Sequence, residues 1–110
     1  MKSLLKSIQY DMLDFIEGED APDYTSAEVN ACITLLLEFM TEIECEAQTQ
    51  ESVKNHVREL VLALNDLNAK CDERLIETDQ REDICQFISK VITNANVEVS
   101  GDITEEWRHW

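Results

Sequence analysis

Glycine and proline are scarce in this chain, two of the first and one of the second among 110 residues, which argues against folds built from many tight turns. Disorder is excluded from the other side: 44% of the residues are apolar, enough to build a core. Cations are scarce too. Nine Lys and Arg stand against 24 Asp and Glu, a net charge of −15, and a surface of that sign repels the phosphate backbone of nucleic acid. Long apolar runs are missing: only nine uncharged residues separate Glu28 from Glu38, about half of what a bilayer-spanning helix needs. At the start of the chain Lys6 and Asp11 interrupt what would be the apolar region of a signal peptide. Residence in the cytoplasm is therefore expected, with Cys32, Cys45, Cys71 and Cys85 as free thiols packed like small apolar residues. Their spacings of 13, 26 and 14 contain no Cys-x-x-Cys unit, which argues against a zinc site.

What is present is helical periodicity. Leu4, Leu5, Ile8, Met12, Phe15 and Ile16 recur at three- and four-residue steps, predicting a first helix from about Lys2 to Glu17 that stops at Gly18. Thr25 and Glu28 have the spacing of a capping box, so a second helix is predicted from about Ser26 to Ala47. Val29, Cys32, Ile33, Leu36, Met40 and Ile43 form its main face, and Leu35, Leu37 and Phe39 widen that face nearly all round, placing this helix at the centre. After the polar stretch 48–52, a third helix carries Val53, Val57, Leu60, Val61, Leu64, Leu67 and Cys71 to about Arg74. A fourth follows a break near Thr78 and Asp79, with Asp79 and Glu82 at capping-box spacing and Asn94 and Asn96 suited to its end. In the tail, Val97 and Val99 alternate as in a short strand, Ser100 to Asp102 read as a turn, and Asp102 with Glu105 has the spacing to cap a last helical turn. The expected fold is all-α: residues 1–110 as one bundle of four main helices with a short irregular C-terminal tail.

Catalytic and metal-binding patterns fail on detail. The acid-rich segment from Glu17 to Glu28 has the length of a calcium-binding loop, but Ala21 and Pro22 occupy the positions that need an oxygen ligand and a glycine. Glu-x-x-His units, which would aim paired ligands into a bundle, are missing from the four helices. His56 reads as an exposed surface pair with Glu59, His109 lies in the tail, and neither offers a nucleophile a base. Two isolated glycines make no phosphate cradle. The sequence thus predicts a non-enzymatic protein without cofactors.

Charge is distributed unevenly. Residues 7–53 contain no Lys or Arg and twelve acids, so this block carries −12 of the total −15. Glu38, Glu42 and Glu46 fall at four-residue steps and are expected to share one stripe of the second helix, where each like-charged pair costs about 0.2–0.5 kcal/mol. A second group, Glu17, Glu19, Asp20 and Asp23, lies before the other end of that helix, roughly 30 Å away at 1.5 Å per residue. Folding gains nothing from either group, whereas a basic partner would be steered toward both. A solvated face that only keeps the chain soluble is the plain alternative. Trp107 is expected to pack back on the bundle, and terminal Trp110 to remain free as an anchor for the partner.

In size, acidity and helix content the whole chain resembles the small all-helical immunity proteins that bacteria encode beside toxin domains. No motif is shared, so no residue role is carried over. The resemblance implies a cytoplasmic inhibitor that covers the active site of a basic toxin, such as a nuclease domain, with carboxylates standing where substrate phosphates would lie. Two other readings stay open: a DNA mimic that inhibits a nucleic-acid-binding protein, and a helical adaptor or secretion chaperone with Leu35, Leu37 and Phe39 at an interface. The sequence leaves monomer and dimer equally open.

Overall fold

A computed structural model describes residues 2–18, 20, 22, 24–98 and 103–110. They form an all-α bundle of α1 (Lys2–Ile16), α2 (Ser26–Cys45), α3 (Gln50–Lys70) and α4 (Thr78–Asn94), with no strand among the described residues. α2 is the central element: it packs on α1, α3 and α4, and α1 also packs on α4. Val29, Cys32, Leu36, Phe39 and Ile43 of α2 are buried against Ile8 and Met12 of α1, Val57, Val61 and Leu64 of α3, and Ile84, Phe87 and Ile88 of α4. Burying one such side chain contributes about 1.5–3 kcal/mol, so this shared seam, more than helix propensity, holds the elements in place. None of the described helices is long and apolar enough to cross a membrane.

The helix starts follow local chemistry. Thr25 caps α2 as expected: its hydroxyl accepts from the Ala27 amide (3.3 Å) and its own amide donates to the Glu28 carboxylate (3.0 Å). α3 begins at Gln50, inside the expected linker, because Thr49 and Ser52 exchange hydrogen bonds, amide to hydroxyl in both directions (2.8 and 3.1 Å). α4 begins at Thr78 and is capped by Glu77, whose amide donates to Gln80 Oε1 (3.2 Å), not by the expected pair Asp79 and Glu82. Gln80 is buried, and this burial selects the earlier register.

Helix ends depart more from the periodicity. α2 stops at Cys45, and Glu46 is already extended (φ −145°, ψ 164°). α3 stops at Lys70, not Arg74, in a corner where the Asp72 amide reaches the Ala69 carbonyl and the Glu73 amide the Asn68 carbonyl, with Asp72 and Glu73 both left-handed (φ +54° and +58°). α4 ends the same way, with left-handed Asn96 (φ +61°) and the Val97 amide donating back to the Ile92 carbonyl. Val97 therefore belongs to a helix cap and not to a strand, while Val99 and Asp102 lie outside the described residues. Residues 103–107 make a turn, and the tail folds back on the bundle: Asn65 donates to the Trp107 carbonyl (2.8 Å) and accepts from the His109 amide (3.0 Å).

Candidate partner-binding surface

Along the line where α2 meets α3 runs a groove of about 130 Å³, lined by Leu35, Glu38, Phe39 and Glu42 from α2 and His56, Glu59, Leu60 and Ala63 from α3. Buried Phe39 and Leu60 form its floor, and the exposed carboxylates of Glu38, Glu42 and Glu59 form its rim. The rim exists because one turn of helix sets Glu38 above Glu42 on the edge that faces α3. Glu46 is exposed but sits beyond the helix end, so the expected three-residue stripe is a pair with an outlier.

His56 does not pair with Glu59 as expected. Its Nδ1–H donates to Glu42 Oε2 across the groove (3.1 Å), tying α2 to α3. The histidine side chain is 29% exposed and the carboxylate 56%, a pair in which solvent screens most of the attraction.

At the far end of α2, Glu17 and Asp20 are exposed in the α1–α2 connection, while Glu19 and Asp23 lie outside the described residues. Gly18 turns the chain there with φ +82°. Tyr24 closes the connection: its buried hydroxyl donates to the Met12 carbonyl (2.7 Å), and its ring stacks on Phe15 (centroids 6.4 Å apart). Burial, then the nearby Cys71 and Glu77 charges, push the Tyr24 hydroxyl up to about 12. Phe15, expected in the core, is 46% exposed and covers the buried Tyr24 ring from outside.

Two further acidic features fall outside the expected set. Glu59 belongs to the groove rim, a placement that only the pairing of α2 with α3 reveals. Across the α1–α4 line, partial burial and the like charges of Asp11, Asp79 and Glu82 raise the Asp83 carboxyl above its ordinary range. On the outer face of α1, Tyr10 is 67% exposed and borders a concavity with Leu13, Asp14, Ile16 and Glu17. The helical spacing of Tyr10, Asp14 and Glu17, off the apolar stripe, is the signal for it in the sequence.

No protein family, curated protein or solved structure matches this chain.

The tryptophans both turn inward. Trp107 packs on the core as expected, and Trp110, expected to be free, packs there as well beneath the Arg108 guanidinium, 5.5 Å from the ring centre. Arg108 Nη1 also donates to Cys85 Sγ and to Thr104 Oγ1, each at 3.3 Å. All four cysteines are free, yet only Cys32 and Cys71 are buried; Cys85 is half-buried beside the tail and Cys45 is exposed at the end of α2. Burial pushes the Cys32 thiol up to about 12, which keeps it protonated and inert. Among the described residues, no group of three or more His, Cys, Asp and Glu is arranged to hold a metal ion.

Proposed function

We propose that this chain is a binding protein that inhibits a basic protein partner by covering its cationic surface with carboxylates. The observation that carries the reading is the α2–α3 groove, where three exposed carboxylates rim an apolar floor and one histidine shares the site. Such a rim supplies steering at long range, and the floor supplies contact once water is expelled. Glu17 and Asp20 at one end of α2 and Glu46 at the other extend the negative field along the molecule, whose long dimension is 46 Å. The partner most in keeping with these features is a cytoplasmic toxin or nuclease domain, whose phosphate-binding cleft is cationic by necessity. This makes the chain an immunity protein by mechanism, acting by occlusion and without chemistry of its own. Of the residues that the adaptor reading sets at an interface, Phe39 is 3% exposed and part of the core, Leu35 is half-buried, and Leu37 alone stands out at 41% exposed.

The test starts from the full chain, tagged, with its captured partner identified by mass spectrometry. Replacing Glu38, Glu42 and Glu59 together by Gln is expected to leave the helical far-UV signal intact and to slow association with that partner by about tenfold at low salt. Wild-type association should itself slow as salt rises, because a Debye length of about 10 Å at 0.1 M cuts the steering field. Unchanged association at low salt in the triple variant removes the groove from the interface.

A further inference from the structure

The outer face of α1 is left uncovered by the other helices, and it is not uniformly polar. Tyr10 stands 67% exposed above the partly buried Leu13 and Ile16, and with Asp14 and Glu17 they line an open concavity of about 390 Å³. A tyrosine there offers a large contact area with few rotamers to freeze, and its neighbouring apolar side chains provide a seat that water fills poorly. The charged groups that line the concavity, Asp14 and Glu17, are both acidic, and the nearest cation on this face of α1 is Lys6, one turn before Tyr10. Lys6 is the last Lys or Arg before Lys54, and Asp11 beyond Asp14 leads on to Asp83, Asp79 and Glu82 of α4. Anionic occupants, nucleic acid and acidic lipid alike, are repelled from such a rim, and an apolar occupant lacking cations leaves the carboxylates unused.

We infer that this face is a second docking surface, one that receives a basic amphipathic helix of a protein partner. An apolar side chain of that helix enters the concavity against Tyr10, Leu13 and Ile16, and its Lys or Arg side chains meet Asp14 and Glu17. Residues 10–16 of α1 span nearly two helical turns, about 9 Å, with Glu17 in the turn that follows, which matches apolar and basic positions repeating every three to four residues on the incoming helix. The inference rests on the reading of the chain as a binder of basic proteins, and it adds where a partner is anchored once steering has delivered it.

Two fluorescent peptides of equal charge test it against the full chain by anisotropy: one with leucines along one face and lysines along the other, and one with serine in place of each leucine. The leucine peptide is expected to bind more tightly, Tyr10→Ala to weaken it by about tenfold while leaving the serine peptide within about twofold, and Asp14→Asn with Glu17→Gln to weaken both at low salt. Amide shifts on adding the leucine peptide are expected at residues 10–17, a readout that does not depend on any variant. Equal binding of the leucine peptide to wild type and Tyr10→Ala overturns the proposal, as does failure of that peptide to bind. Amide shifts confined to the Leu35–Ala63 groove also overturn it, while leaving the groove reading standing. Self-association that Tyr10→Ala abolishes in sedimentation assigns the face to a second copy and overturns it too. Conversely, peptide binding on α1 with an unaffected Glu38, Glu42 and Glu59 triple variant retires the groove and keeps this face.

Discussion

The C-terminal tail and the outer face of α1 both bring aromatic rings beside charged groups, yet they come to opposite ends. In the tail, Trp107 and Trp110 lie against the bundle with Arg108 folded over the second ring. On α1, Tyr10 stands in solvent with Lys6 one turn before it and Asp14 one turn after. The backbone explains the difference. The tail is irregular, so its carbonyls and amides need partners from elsewhere, and Asn65 of α3 supplies them for Trp107 and His109, drawing both indoles along. α1 satisfies its own backbone, so nothing pulls Tyr10 inward once Leu5, Ile8 and Met12 have filled the core. A terminal position does not make an aromatic free, and a helical position does not make it buried.

Substitutions can break or sharpen this contrast. The largest effect is expected for Trp107→Ala, which removes the ring holding the tail and should cost about 2–4 kcal/mol in urea unfolding. Asn65→Ala should follow at about 1–3 kcal/mol, since it leaves two tail backbone groups without their partner; a cost near zero would show that the tail holds by its rings alone. Tyr24→Phe should cost about 1–2 kcal/mol through the lost bond to Met12, with a signature in alkali. Because the folded state keeps the Tyr24 proton to about pH 12 while an unfolded tyrosine releases it near pH 10, wild-type stability should fall as pH rises from about 10 to about 12, and the phenylalanine variant should lack that loss. Asp83→Asn should stabilise at neutral pH by about 0.2–0.5 kcal/mol. The sign follows from a carboxyl raised by burial and by its acidic neighbours: the folded state binds its proton more tightly, so wild type gains stability as pH falls toward the raised value, and the variant gains less. Smallest of all, Tyr10→Ala should change the unfolding free energy by no more than about 0.5 kcal/mol, as expected of a side chain the fold does not use.

Much of the fold was legible because helices advertise themselves by period and by cap. The Thr25 and Glu28 pair marks the start of α2 to the residue. Thr49 was missed because its partner is Ser52, where the usual pattern has Glu or Gln. At α4 two overlapping pairs have the same spacing, and only the buried position of Gln80 chooses between them. The acidic surface was legible as composition and less so as geometry. Glu38 and Glu42 share an edge, but the helix ends before Glu46 joins them, and no local signal announces that end. Glu59 and His56 join the site through the packing of α3 on α2, a long-range fact that periodicity cannot carry.

The Tyr24 hydroxyl, fastened to a carbonyl of the preceding helix, has a consequence for how this molecule can change. It works as a clasp: at its Tyr24 end the connection between α1 and α2 is held to the bundle by a contact outside itself. Lengthening a loop costs only about 0.6 kcal/mol per doubling. An insertion between Gly18 and Tyr24 is therefore expected to leave the bundle beneath as it is, with the clasp setting where the added chain rejoins it.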